Sequence, residues 1–250
     1  MKNSFLYRFA VLIMFISLIA SCSSNKQDKN QSGEQMDEQQ SQDQWQELFD
    51  GKTLNGWSLK EAEANFYVKD GMIVGDAEYK TPNCYLVTDQ SFDNFILELD
   101  FKVDDPLNSG VQIRSKEWKK DTTIMYRNGS TLEQSEHVFT AGTVVGYQIE
   151  IDPSERAWSA GLYEVGGRGW LQSLKDNPEA GAAYKNNDWN HFKIKAVGDH
   201  IETWINGVPA AHAHDQAWTT GFIGFQMHGV SSEEQAGKKM YFKNIRIKEL

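Results

Sequence analysis

Between Phe95 and Val103 the chain alternates: Phe95, Leu97, Leu99, Phe101 and Val103 stand one apart, with Ile96, Glu98, Asp100 and Lys102 between them. Successive side chains of a strand point to opposite faces, so a period of two buries one face of a strand and fits no helix. The period returns where Val111 and Ile113 flank Gln112, with Arg114 following. It returns again where Tyr147, Ile149 and Ile151 flank Gln148 and Glu150, and at Phe192, Ile194 and Ala196. Turn signals separate such runs. Asp70-Gly71 lies between Phe66–Val68 and Met72–Val74, Gly198-Asp199 leads into Ile201–Ile205, and Asn206-Gly207 follows. Each offers the positive φ that a tight hairpin needs. Phe222–His228 and Tyr241–Ile247 read as the last two strands, and helical spacing is confined to a turn or two around Leu171–Ala183. The expectation is an all-β sandwich, jelly roll or barrel in one domain, residues 45–250.

The first 44 residues do not share this pattern. Lys2 and Arg8 precede the apolar run Phe9–Ala20, and Ser21 and Cys22 follow it. A run this short is a signal h-region rather than a span of a hydrocarbon core about 30 Å thick. Leu18-Ile19-Ala20-Ser21-Cys22 resembles a bacterial lipobox, which implies loss of residues 1–21 and a lipid on Cys22. Ser23 after that cysteine resembles lipoproteins sorted to the outer membrane, facing the periplasm. Residues 22–44 are polar, without an aromatic or β-branched residue, and read as a disordered tether. With Cys22 lipidated, Cys84 is a lone thiol, expected as a half-buried strand residue rather than a nucleophile. The chain carries a net charge of −10, and −12 once Lys2 and Arg8 leave with the leader. A phosphate backbone demands a dense basic field, so nucleic acid is excluded as a partner.

Familiar catalytic fingerprints are missing: no Walker A, no dinucleotide fingerprint, no His-Glu-x-x-His, no Gly-x-Ser-x-Gly. Gly166-Gly167-Arg168-Gly169 reads as a loop. His212-x-His214 has the spacing of a metal pair, but it follows Pro209 among alanines with no obvious third ligand nearby, and reads as a surface loop. His137, and His200 in a turn, read as solvated, and His191 as a structural polar residue. Asp100, Gln112, Arg114, Gln148 and Glu150 share the parity opposite the apolar one, and Gln226 and His228 share a parity on a late strand. Such a face is either a solvated sheet surface or the floor of a sugar cleft. Trp57, Trp170 and Trp204 are either sugar-stacking platforms or core.

Leu48-Phe49-Asp50-Gly51-Lys52-Thr53-Leu54-Asn55-Gly56-Trp57 resembles the opening motif of the DUF1080, or 3-keto-disaccharide hydrolase, family. The likeness continues through Asn108-Ser109-Gly110-Val111-Gln112-Ile113-Arg114, Gly146–Pro153, Arg168-Gly169-Trp170-Leu171 and Gln226-Met227-His228-Gly229-Val230, and closes at Phe242–Ile247. It implies a concanavalin A-like jelly roll acting on glycosides oxidised to a ketone at C3. A ketone there acidifies the C2 hydrogen, so one base can start the cleavage if a cation or donor holds the enolate oxygen. On that reading His228 is the base, since an imidazole titrates near working pH. Glu150 is the alternative base, or orients His228 or a divalent ion. Arg114 holds the oxyanion, with Asp100 fixing its guanidinium. Asn108, Gln112, Gln148, Tyr163 and Gln226 bind sugar hydroxyls. No metal ligands are assigned, and the runner-up is a lectin-like module that binds sugar without turning it over. The stretch 130–143 departs from the family pattern and is expected to reshape one rim of the cleft.

Overall fold

Two antiparallel sheets lie face to face in the computed structural model, which describes residues 44–127 and 134–250. Cys22, the leader and nearly all of the tether lie outside the described residues. The larger sheet has eight strands: β1 (Gln46–Glu47), β3 (Asn65–Lys69), β4 (Met72–Asp76), β6 (Phe95–Val103), β13 (Asn190–Val197), β14 (His200–Ile205), β15 (Val208–His214) and β17 (Lys239–Glu249). They run in the order β15-β14-β13-β6-β17-β4-β3, with β1 on β17. The smaller sheet has seven: β2 (Trp57–Lys60), β5 (Cys84–Phe92), β7 (Ser109–Glu117), β10 (Val144–Ile151), β11 (Leu162–Val165), β12 (Gly169–Gln172) and β16 (Gly221–Met227). Their order is β12-β11-β10-β7-β16-β5-β2. A separate hairpin joins β8 (Thr122–Arg127) to β9 (Gln134–Phe139). This is a jelly-roll sandwich, one of the architectures the alternation leaves open and the one the family resemblance implies.

The apolar parity faces inward from both sheets. Leu97, Leu99, Phe101, Phe192, Ile194 and Ile247 meet Val111, Ile113, Tyr147, Ile149 and Phe225 in one continuous core. Phe225 stacks on Phe242 across the sheets, with ring centroids 4.0 Å apart, and Trp57 stacks on Phe225 at 5.3 Å. The Asp70-Gly71 and Asn206-Gly207 turns adopt the positive φ angles that close two-residue hairpins.

Three local expectations are corrected. Leu171 lies in β12, and among the described residues the helix, α1, is confined to Pro178–Ala183, capped by the Asn177 side chain on Ala180 N. Pro178 opens it at N1, where a missing N–H costs nothing. His212 and His214 lie in β15 rather than a loop, since an edge strand tolerates Pro209. Cys84 is fully buried, not half-buried, and burial pushes its thiol up to about 12, which leaves it inert.

Candidate functional site

The outward parity of the seven-stranded sheet builds a floor. Register sets Gln112 opposite Gln148, Gln148 opposite Tyr163, and Gln226 opposite Tyr85. All face away from the core, yet Gln112, Gln148, Glu150 and Gln226 are only 0%, 3%, 5% and 5% exposed. Buried polar groups require partners, and these bond to one another. Gln112 donates from Nε2 to Gln148 Oε1 at 2.5 Å, and Gln148 donates from Nε2 to Glu150 Oε2 at 2.8 Å. Asn108 Nδ2 donates to the other carboxylate oxygen of Glu150 at 2.8 Å. Gly110 permits this row: a Cβ there would lie 2.5 Å from the Gln148 side chain.

A cleft of about 420 Å³ opens over this floor. Its walls are Asn83, Tyr85, Arg156, Tyr163, Trp170 and His228, and Glu150 is the one carboxylate among the described lining residues. Burial raises the Glu150 carboxyl above the ordinary glutamate value, against the opposing pull of the Asn108 and Gln148 donors. The Arg156 guanidinium lies 3.8 Å from Glu150 Oε1 and is anchored through Nε on Asp152 Oδ2 at 2.7 Å. It also covers the Trp158 and Trp170 rings. Trp170 stands edge-on to Tyr163, centroids 5.3 Å apart. Gln226 donates from Nε2 to Asn83 Oδ1 at 3.1 Å, while its buried Oε1 has no partner among the described residues.

The rim is braced. Arg168 pairs with Glu164 and forms a fork on Asp215, with NH1 and NH2 at 2.6 and 2.9 Å, and Asp215 also accepts from Tyr147. This ties the β11–β12 turn to the chain leading into β16. The turn residue Gly166 lines the cleft and abuts the β8–β9 hairpin, since a Cβ on it would lie 3.5 Å from Phe139. The hairpin thus reaches the rim, although residues 128–133 lie outside those described.

Of the residues singled out in the sequence, Asn108, Gln148, Glu150, Tyr163, Gln226 and His228 converge on the cleft, and Gln112 supports them from beneath. His228 sits one residue beyond β16, exposed, with Nδ1 3.3 Å from Gly229 O. Arg114 does not join them. Its φ of 48° breaks the alternation. The buried guanidinium is spent on Asp93 O, Gly198 O and Asn94 Oδ1, within a different hollow. Asp100 does not fix it either, because β6 belongs to the other sheet and Asp100 pairs with His191 Nδ1 at 2.8 Å. Of the three tryptophans only Trp170 reaches the cleft. Trp57 is core, and Trp204 lies on the opposite sheet under Lys193. Arg156, Asn83 and Tyr85 were missed. Asn83 and Tyr85 flank Cys84 at the start of β5, and Arg156 is on the loop after β10, where alternation gives no signal. Glu150, Asp152 and His228 do not form a group with three ligand atoms in reach of one ion among the described residues.

Comparison with known proteins agrees with this fold. A family model described as a 3-keto-alpha-glucoside-1,2-lyase-like domain matches residues 44–248, and the chain belongs to that family. Two proteins of Parabacteroides distasonis ATCC 8503, provisionally described as glycosyl hydrolases, share the fold. One is 19% identical over 85% of this chain and 96% of its own, with a TM-score of 0.51. The other is 22% identical over 83% and 100%, with a TM-score of 0.50. A Bacillus subtilis protein of unknown function with a galectin-like fold is 15% identical over 82% and 98%, with a TM-score of 0.53. No curated protein matches the chain in sequence.

Proposed function

We propose that this family member cleaves glycosides carrying a ketone at C3, by removing the C2 proton and expelling the aglycone from C1. One observation carries the reading: among the described residues the cleft has a single lining carboxylate, Glu150, buried and with a raised pKa. Conventional glycosidases flank the bond with two carboxyl groups about 5–9.5 Å apart. A ketone removes the need for the second.

On this reading Glu150, rather than His228, takes the C2 proton, because it is buried beneath the cleft, where desolvation makes it a stronger base than an ordinary carboxylate, whereas His228 is exposed at the mouth. The C–H electron pair becomes an enolate between C2 and C3, whose oxygen lies against Arg156 in place of Arg114. The pair then forms the C1–C2 double bond, the C3 ketone is restored, and the aglycone leaves with its oxygen. His228, exposed at the mouth, gives that oxygen a proton. Water added across the double bond completes a net hydrolysis. Gln226 Oε1 accepts a sugar hydroxyl, and Trp170 with Tyr163 packs against the ring. The lipobox-like run Leu18–Cys22 supports a location on the periplasmic side of an outer membrane, with the chain tethered through Cys22.

The test is aglycone release from a 3-keto-glucoside and its unoxidised parent. Release from the ketone alone, with solvent deuterium appearing at C2 of recovered substrate, is expected. Equal turnover of both overturns the elimination, and saturable binding without turnover identifies a lectin. His228→Ala slows release by about 10²-fold, the low end for a positioned acid. Mass spectrometry of the native N-terminus checks the anchor, where an acylated Cys22 is expected.

A further inference from the structure

We propose that His200, His212 and His214 form a binding site for a borderline transition-metal dication, Zn²⁺ being the probe, on the face of the sandwich away from the cleft. The hairpin β14–β15 assembles it. His212 and His214 are two apart on one strand and so share a face, and register sets His200 directly opposite His214. The three ring centroids lie 3.7, 5.6 and 5.6 Å apart, and one nitrogen from each ring falls within 4.8 Å of the others. Zinc–imidazole bonds of about 2.0–2.1 Å in a tetrahedron set nitrogens about 3.3 Å apart. All three side chains are exposed, so rotation of the rings closes that gap without moving the backbone.

The surroundings suit the ion. Asp199 Oδ2 lies 3.4 Å from His214 Nδ1, and its Oδ1 lies 4.0 Å from His200 Nε2. A carboxylate behind a ligating imidazole fixes its tautomer and raises its basicity. Glu202, opposite His212, is engaged 3.1 Å from Lys195, so the protein supplies three nitrogens and leaves a fourth position to water or a further ligand. An all-imidazole set selects zinc, copper or nickel over calcium and magnesium, which take oxygen ligands. The bound ion cross-links the two outermost strands of the larger sheet at their open end.

Titration of the full chain with ZnCl₂, followed by calorimetry and thermal unfolding, tests this. One Zn²⁺ per chain and a raised Tm are expected, with no saturable response to MgCl₂. The double variant H212A/H214A should lose the saturable site and the Tm rise, and Asp199→Asn should weaken binding by about 10–100-fold. Glu150→Gln should bind Zn²⁺ as the native chain does. Undiminished binding by the double variant, an equal response to MgCl₂, or no saturable Zn²⁺ binding to the native chain overturns the proposal.

Discussion

The outer face of the eight-stranded sheet carries Glu98, Asp100, Lys193, Lys195 and Arg246 in positions that water reaches. They pair locally, as Arg246 with Glu98 at 2.6 Å and Lys195 with Glu202 at 3.1 Å. The outer face of the seven-stranded sheet carries Gln112, Gln148, Glu150 and Gln226, all nearly inaccessible; the first three are linked side chain to side chain, and Gln226 bonds to Asn83. The same alternation of apolar and polar residues produced both. Exposed pairs are screened and easily replaced by water, whereas buried amides hold one another because nothing else will. A polar residue opposite the core therefore signals function only where its own face is covered.

The sharpest way to break the comparison is to neutralise one acid on each face. Glu150→Gln should lower kcat by about 10²–10⁴-fold, the usual worth of a positioned base. Asp100→Asn should leave turnover of a 3-keto-glucoside unchanged, and an equal loss in both would erase the distinction. Arg114→Ala comes next and acts on stability. Removing a buried guanidinium that serves three oxygens should cost about 1.5–3 kcal/mol in urea denaturation, while the folded fraction keeps its kcat. Gln148→Ala strands Gln112 and one oxygen of Glu150, and should cost about 1–3 kcal/mol.

Acidity gives a subtler contrast. With its pKa raised by burial, Glu150 is a base only above that value, so kcat/KM should fall as pH drops through a limb above the ordinary glutamate range of about 4.3. Folded protein also binds this proton more tightly than unfolded protein does. The contribution to stability is thus complete below the unfolded pKa and lost as pH rises through the folded one. Both effects should vanish in Glu150→Gln. The smallest change is expected from Glu98→Ala, which removes an exposed pair worth about 0–1 kcal/mol.

Much of the fold was legible because β6 and β10 alternate cleanly and the Asp-Gly and Asn-Gly turns sit between strands. The site was legible in part. Asn108, Gln148, Glu150, Tyr163, Gln226 and His228 converge, since parity and motif order both point to them. Parity does not say which sheet a strand joins, so Asp100 was grouped with residues on the other side of the core. Nor does it register a positive φ, and Arg114 turns out of line for that reason. Arg156 lies on a loop, where its partners Asp152 and Glu150 are set by the chain's path rather than by any period. Pro209 made the segment holding His212 and His214 resemble a loop, although an edge strand accommodates it.

The Oε1 of Gln226, without a partner among the described residues, leaves the cleft one free acceptor. The lining presents an acceptor at Gln226 and donors at Arg156. A hydroxyl satisfies the first and a carbonyl the second, whereas a carbonyl set against Gln226 faces oxygen against oxygen. On the proposed function, an oxidised sugar is then read by which of its oxygens is a carbonyl: the ketone is steered to the arginine, and a sugar oxidised at a different carbon arrives with its leaving group misplaced.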